Sequence, residues 1–206
     1  MNIVIIDNGL SNIGALKNMI KKIGLVSKVV GQRDELGNPD AIIMPGVGAF
    51  DAAMEALDGA GLIEPLNDLV LDKKIPTLGI CLGMQLFAGS SEEGESLGLG
   101  WISGNVKRLV ASNESVRIPH MGWNKIRHSE NNVFEGIDQN SRYYFVHSYY
   151  FDCENSDNEL CHTNYEGFDF VSGVVQKNIY GFQFHPEKSH SFGLSLLKNF
   201  FKNKVR

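Results

Sequence analysis

The sequence predicts an α/β fold: one three-layer domain over residues 1–206, with a mostly parallel central sheet, helices on both faces and extra antiparallel strands at one edge. Three observations predict it. Strand-like apolar runs alternate with helix-period runs as far as Gln85, a pattern that joins parallel strands by crossover helices. From Trp101 onward short strand-like runs dominate, which places additional strands beside that sheet. No linker, repeat or low-complexity segment divides the chain.

In order, Asn2 to Asp7 predicts a buried strand. Ile13, Leu16, Met19, Ile20 and Ile23 recur at helical spacing over Asn12 to Ile23, and Gly24 ends that helix. Val26 to Val30 and Asp40 to Met44 are the next strands, the second stopped by Pro45. Asp51 is the expected N-cap of a helix through Leu57, and a further helix covers Leu62 to Asp72. Pro76 opens a strand that reaches Cys81, and Leu82 to Ala88 begins a helix. Gly89 to Gly98 is a polar loop. Strands follow near Val106 to Val110, Trp123 to Arg127, Tyr143 to Tyr150, Leu160 to Tyr165, Ser172 to Gln176 and Ile179 to Phe184, with a short turn or helix at Asn132 to Ile137. Phe192, Leu196, Phe200 and Phe201 mark the apolar face of a last helix, Ser191 to Lys202.

Composition narrows the function. With 43% hydrophobic and 21% charged residues, the chain is ordinary for a globular protein. A formal net charge of −5 offers no basic field to nucleic acid or to a membrane surface. Met1 to Asp7 lacks the basic start of a secretory signal, and no stretch approaches the length of a membrane span. Cys81, Cys153 and Cys161 make an odd count, so reduced thiols and a cytoplasmic setting are expected. Cys153 and Cys161 could pair, but such thiols are more often inert filler.

Cys81 sits at a strand-to-helix turn between Gly79 and Gly83. Small residues there allow a tight bend and close helix packing, the geometry of a nucleophile elbow with Cys in place of Ser. A thiolate at the helix N-terminus would be favoured by free N–H groups, and the Leu82 N–H would point at an oxyanion formed beside the sulfur. The commoner role for a lone Cys is a small buried hydrophobe. Against that stands His185-Pro186-Glu187. Pro186 predicts an extended run in which residues 185 and 187 share a face, so Glu187 can orient His185. Cys81, His185 and Glu187 then form a relay of nucleophile, base and orienter; a surface His beside a Glu is the competing reading. No metal and no cofactor is called for, since an elbow with an N–H beside the sulfur suits acyl transfer better than metal ligation. Pro45-Gly46-Val47-Gly48 is expected to form the second wall, with Val47 donating an N–H to the oxyanion. Read instead as a dinucleotide fingerprint, the loop lacks its third Gly, at Asp51, and follows the wrong strand.

Gly79 to Gln85 together with His185-Pro186-Glu187 resembles the class I glutamine amidotransferases over nearly the whole chain. Within that class, the Pro45 to Gly48 loop, Pro119-His120-Met121-Gly122-Trp123-Asn124, Tyr144 to Tyr149 and Gln183 to Ser189 are similar to the glutaminase subunits of imidazole glycerol phosphate synthase. The resemblance implies that glutamine is the substrate, that Cys81 attacks its side-chain amide, and that Gly46, Gly48, Gln85, His147, Ser148 and Tyr149 help to bind it. It also implies a (β/α)8 cyclase subunit as heterodimer partner, with Asn12, Trp123, Asn124 and Lys188 facing it. Trp123 could equally be core. The chain's length, used up by sheet and triad, is expected to leave no room for an ammonia-accepting domain. Asp7-Asn8-Gly9-Leu10-Ser11-Asn12 departs from the family's Asp-Tyr-Gly-x-Gly-Asn at Asn8 and Ser11, which brings in a related branch that feeds ammonia to a surface-sugar amidotransferase. A stand-alone cysteine hydrolase and a non-catalytic binding module of the same fold are the remaining alternatives.

Overall fold

Apolar side chains point alternately to the two faces of the first strand, and this divides the interior into two layers. The computed structural model describes residues 1–7, 9, 12–110, 117–128 and 130–204. On β1 (Ile3–Ile6), Ile3 and Ile5 pack with α1 (Ile13–Lys22) and α5 (His190–Lys204). Val4 and Ile6 pack on the other face with α2 (Phe50–Gly59) and α3 (Ile63–Asn67). Residues on β3 (Ala41–Gly46) divide in the same way, Ala41 and Ile43 to one layer and Ile42 and Met44 to the other. A strand buried on both faces must be apolar throughout, which is why these runs do not alternate with polar residues.

The main sheet has eight strands. Besides β1 and β3 it contains β2 (Ser27–Val30), β4 (Thr77–Cys81), β8 (Arg127–His128), β11 (Glu159–Tyr165), β12 (Phe168–Gln176) and β13 (Ile179–Phe182), in the order β2-β1-β3-β4-β13-β12-β11-β8. Strands β2 through β13 in that order run parallel, and β12, β11 and β8 continue the sheet antiparallel at one edge. Two small sheets stand apart from it. One pairs β5 (Ser90–Ser91), β6 (Gly104–Arg108) and β10 (Tyr149–Cys153); the other pairs β7 (His120–Lys125) with β9 (Arg142–His147).

Several boundaries differ from the sequence expectation. Tyr143 to Tyr150 is not one strand: it breaks at Ser148, where the chain leaves its partner β7 and joins β6. Asp51 is not an N-cap. The cap position of α2 is Ala49, and the Asp51 carboxylate instead accepts the backbone N–H groups of Glu95 and Ser96, pinning the polar loop to the helix. The helix after the elbow, α4 (Leu82–Gln85), ends after four residues rather than reaching Ala88. Helix α3 runs on through a π-turn to Asp72, as far as expected. On α5, Leu196, Leu197, Phe200 and Phe201 are buried, whereas Phe192 is 38% exposed and lies outside the core face. Asn8, Leu10 and Ser11, the heart of the Asp7 to Asn12 departure, lie outside the described residues.

Close approach of α4 to the sheet dictates the small residues around it. A Cβ on Gly83 would overlap the Met44 carbonyl oxygen, and one on Gly79 would come within 2.6 Å of the Phe87 ring and 2.7 Å of the Met84 Cα. Gly83→Ala is therefore expected to destabilise the fold by about 2–3 kcal/mol, because backbone on both sides must shift. Gly59→Ala, at a position with nothing within 4 Å, is expected to be neutral or slightly stabilising. Thermal unfolding of the two variants checks this; equal melting temperatures would contradict it.

Candidate active site

Cys81 ends β4 and precedes the first residue of α4 with φ 53° and ψ −114°. A non-glycine residue in that region carries roughly 1–3 kcal/mol of strain, which the packing of α4 must offset. The bend turns the side chain out of the sheet and leaves the Leu82 N–H at the start of a helix, without an intrahelical partner. With only four residues, α4 supplies a short run of aligned peptide dipoles, less than the sequence reading assumed.

His185 lies beyond the end of β13 and is held by its own N–H, which donates to the Tyr144 carbonyl at 2.8 Å. The expected extended run is instead a 3₁₀ turn over Pro186–Lys188. That turn swings Glu187 back, so that its Oε1 accepts from His185 Nδ1 at 2.8 Å, with both side chains buried. With Nδ1 engaged, Nε2 is left for chemistry. It makes no hydrogen bond within geometric limits, but the Cys81 sulfur is near enough to couple to it electrically. Such contacts are commonly long before substrate arrives. Burial opposes a charged imidazole; the negative charge and hydrogen-bonding capacity of the Cys81 sulfur, together with Glu187, outweigh it and raise His185 to about 10. His185 is therefore an imidazolium at neutral pH, beside the Cys81 sulfur.

Cys81, Leu82, Gln85, Val47, Gly48, His147, Ser148 and Tyr149 line one cavity of about 300 Å³, with Pro119, Val146 and Glu93 completing the wall. Gln85 donates from Nε2 to the Tyr149 carbonyl at 3.0 Å and to Gln183 Oε1 at 2.9 Å. Both its N–H groups are thus spent inside the protein, and Oε1 is the part of Gln85 left for a ligand. Gln183, fully buried, donates to Cys81 Sγ at 3.6 Å. His147 serves as wall: its Nδ1 donates to the Tyr149 carbonyl at 2.8 Å, so its Nε2 accepts from His120 Nδ1 at 3.0 Å. Burial keeps both rings neutral, His120 lowered to about 4 and His147 to about 3.

Some expected residues play a different part. Gly46 is not among the residues lining the cavity; it pairs with Cys81 in register, and a Cβ there would lie 2.9 Å from the Gly83 nitrogen, so its missing side chain admits the elbow. Asn124 is half-buried, its Nδ2 donating to the Asn164 carbonyl at 2.9 Å. Trp123 is 43% exposed and stacks on His190 at 5.3 Å, so it is not core. Lys188 lies 5.6 Å over the Tyr144 ring, which Trp123 meets edge-on, so Trp123 and Lys188 share one surface. Asn12 caps α1 through Ala15 N–H at 3.4 Å and is exposed.

Glu93 is not a candidate from the sequence, and Gln183 enters there only as the first residue of the Gln183 to Ser189 run, without a role in the site. Glu93 comes from the polar loop, where only the fold brings it to the cavity; its Oε2 accepts the Phe50 N–H at 3.0 Å, and burial raises its carboxyl above the ordinary value. Gln183 had one signal, its place two residues before His185 on the same extended segment. Cys153 and Cys161 are free thiols, each pushed up to about 12 by burial, and neither lines the cavity.

The glutamine amidotransferase class-I family model matches residues 4–204. The chain belongs to the class-I glutamine amidotransferases. It is 47% identical to "Imidazole glycerol phosphate synthase subunit HisH" of Bdellovibrio bacteriovorus, covering 96% of this chain and 98% of that protein. It is 48% identical to "Imidazole glycerol phosphate synthase subunit HisH 2" of Methanococcus maripaludis, covering 97% and 98%. Among solved structures, "Crystal structure of glutamine amidotransferase" superposes with a TM-score of 0.75 at 19% identity, covering 97% of each chain. That likeness is one of fold. The place of this amidotransferase among HisH proteins rests on the sequence matches.

The electrostatics of the site make a prediction about pH. In the wild type the His185 imidazolium should persist until the pH approaches 10. Cys81→Ser removes the sulfur's charge and leaves burial opposed only by Glu187, so His185 should lose its proton at lower pH. NMR titration of the imidazole carbons reads this directly; identical titrations in the two proteins would contradict the coupling.

Proposed function

We propose that this chain hydrolyses glutamine to glutamate and ammonia at the Cys81 elbow, and passes the ammonia to a (β/α)8 cyclase subunit that makes imidazole glycerol phosphate and aminoimidazole carboxamide ribotide. The two chains would act as a heterodimer in the cytoplasm. The observation that carries the reading is that Cys81 lines the cavity while the buried His185–Glu187 pair couples to its sulfur. No helix among the described residues is long and apolar enough to cross a membrane.

The chemistry follows from the groups present. The Cys81 thiolate attacks the side-chain carbonyl carbon of glutamine, and the N–H groups of Leu82 and Val47 receive the oxyanion. The His185 imidazolium gives its proton to the amide nitrogen, the C–N bond breaks and ammonia leaves a glutamyl thioester. Neutral His185 then takes a proton from water; the hydroxide attacks the thioester, the C–S bond breaks and glutamate departs from a restored thiolate. Glu187 holds Nδ1 throughout, so that Nε2 alone moves protons. Gln85 Oε1 accepts from the substrate amide, and Glu93 faces its α-ammonium. Ammonia in bulk water at neutral pH is mostly protonated and no nucleophile, so the product needs a sheltered route into the partner. Trp123 and Lys188 supply an exposed aromatic and a cation for that docking surface.

A second reading, delivery to a surface-sugar amidotransferase, is favoured by Asn8 and Ser11, which depart from the family's first loop. The triad is common to both acceptors and cannot separate them. Growth without histidine of a bacterium lacking its own glutaminase subunit, with the cognate cyclase supplied, is expected; failure with soluble protein and partner present would favour the second reading.

Cys81→Ala should abolish glutamine-dependent synthesis and spare synthesis from added ammonium salt. His185→Asn should cost at least about 100-fold in glutamine turnover, and Glu187→Gln less, since the Tyr144 carbonyl still anchors the His185 backbone. Glutaminase and synthase assays on the assembled complex check all three. Equal loss of the glutamine and ammonium activities in Cys81→Ala would contradict the division of labour.

A further inference from the structure

The Cys81 sulfur lies between two polar groups of opposite kind. The Val146 carbonyl, 3.9 Å away, can only accept, and so favours the protonated thiol. Gln183 Nε2, 3.6 Å away, can only donate, and so favours the thiolate. The His185 imidazolium beside the sulfur also favours the thiolate, and which way the Gln183 amide faces decides whether a second group joins it or opposes it; the neighbours of Gln183 fix that orientation. The Tyr149 carbonyl is an obligate acceptor, so Gln85 must present its nitrogen there, at 3.0 Å. The same nitrogen then meets Gln183 at 2.9 Å, which requires Gln183 to turn its oxygen toward Gln85 and its nitrogen toward sulfur. Gln183 is 0% exposed and Gln85 4%, so no solvent competes for these bonds. A flip of either amide would set two buried donors or two buried acceptors against each other.

We propose that Gln183 is a catalytic residue of this glutaminase: its amide donor, locked in place by Gln85 and the Tyr149 carbonyl, holds the Cys81 sulfur in its thiolate form. The donor adds to the His185 imidazolium, because the four-residue α4 supplies only a short dipole. It acts twice in the cycle. It supports the thiolate before attack, and again when the second tetrahedral intermediate collapses and sulfur leaves as an anion. Between those moments the thioester sulfur is neutral and a weak acceptor, so the bond relaxes when no charge is present. Gln85 is then a positioning residue for Gln183 as well as a contact for glutamine.

The inference rests on Cys81 being the nucleophile, and it is tested without glutamine or partner, so the two can fail separately. Alkylation by iodoacetamide reads the thiolate fraction of the folded full chain, followed at Cys81 by peptide mass spectrometry. At pH 7, Gln183→Met, which fills the space without a donor, should slow the reaction about tenfold, equivalent to ~1.4 kcal/mol. Gln183→Glu keeps the oxygen that Gln85 needs and replaces only the donor, so it should slow the reaction at least as much. In both variants the gap should narrow as the pH is raised toward 10, a dependence that a merely structural role would not produce. Rates within twofold of the wild type at pH 7, in whichever variant retains the wild-type thermal transition, would overturn the proposal. A deficit that stays constant with pH would also overturn it.

Discussion

The close approach of α4 to the sheet is the constraint on which the site depends. A Cβ on Gly46, Gly79 or Gly181 would press into the elbow or the Met84 and Phe87 side chains behind it, and one on Gly83 would press into the β3 backbone at Met44. Their absence of side chains lets β4 bend into a helix within one residue, and that residue is Cys81, at φ 53°. Backbone strain at one residue is tolerated because the buried layer of Leu82, Met84 and Phe87 overdetermines the position of the turn. The same bend aims the sulfur at the cavity and frees the Leu82 N–H beside it. The proposed nucleophile and the proposed oxyanion donor are thus consequences of one packing requirement.

Charge is arranged around that sulfur in a graded way. Glu187, then His185, then Cys81 form a line in which each group makes the charge of the next less costly. On the other side of the cavity, His147 and His120 are kept neutral by burial and by a one-way chain of donors ending at the Tyr149 carbonyl. Four buried ring and amide groups, those of Gln85, Gln183, His120 and His147, therefore hold fixed orientations around a single carbonyl or the groups attached to it. A site so constrained presents a defined set of donors and acceptors before substrate arrives, which reduces reorganisation during the reaction.

Much of this was legible in the sequence, for identifiable reasons. β1, α1 and the elbow strand are read from runs whose period and flanking Gly or Pro are strictly local. The extra antiparallel strands follow from the absence of helical spacing after Trp101. What the sequence concealed depends on folding. A single strand over Tyr143 to Tyr150 fits its residue types, but Ser148 is where two sheets compete for the chain. Asp51 has the composition of a cap, yet the polar loop offers it two N–H groups instead. Pro186 predicts an extended chain by its residue type, whereas Pro is equally at home at the first position of a short turn, which is where it stands. Gly46 signals a close approach in the sequence, and its approach to Leu82 and Gly83 of the elbow is visible only in the fold. Glu93 carries no local signature, and His120 and His147, each within a recognisable run, show nothing locally of their pairing, since these partners lie far apart in the chain.

The central claim is that the fold activates one of three cysteines. Cys153 and Cys161 are held protonated by burial, and only Cys81 lines the cavity beside the imidazolium. The most direct measurement is therefore labelling of the partner-bound protein by 6-diazo-5-oxo-norleucine, a glutamine analogue whose diazoketone alkylates a thiolate bound where the amide would be, with the adduct located by peptide mass spectrometry. The account predicts one adduct, on Cys81, suppressed by excess glutamine and absent in His185→Asn under the same conditions. Labelling of Cys153 or Cys161, or labelling of Cys81 that glutamine does not suppress, would contradict it.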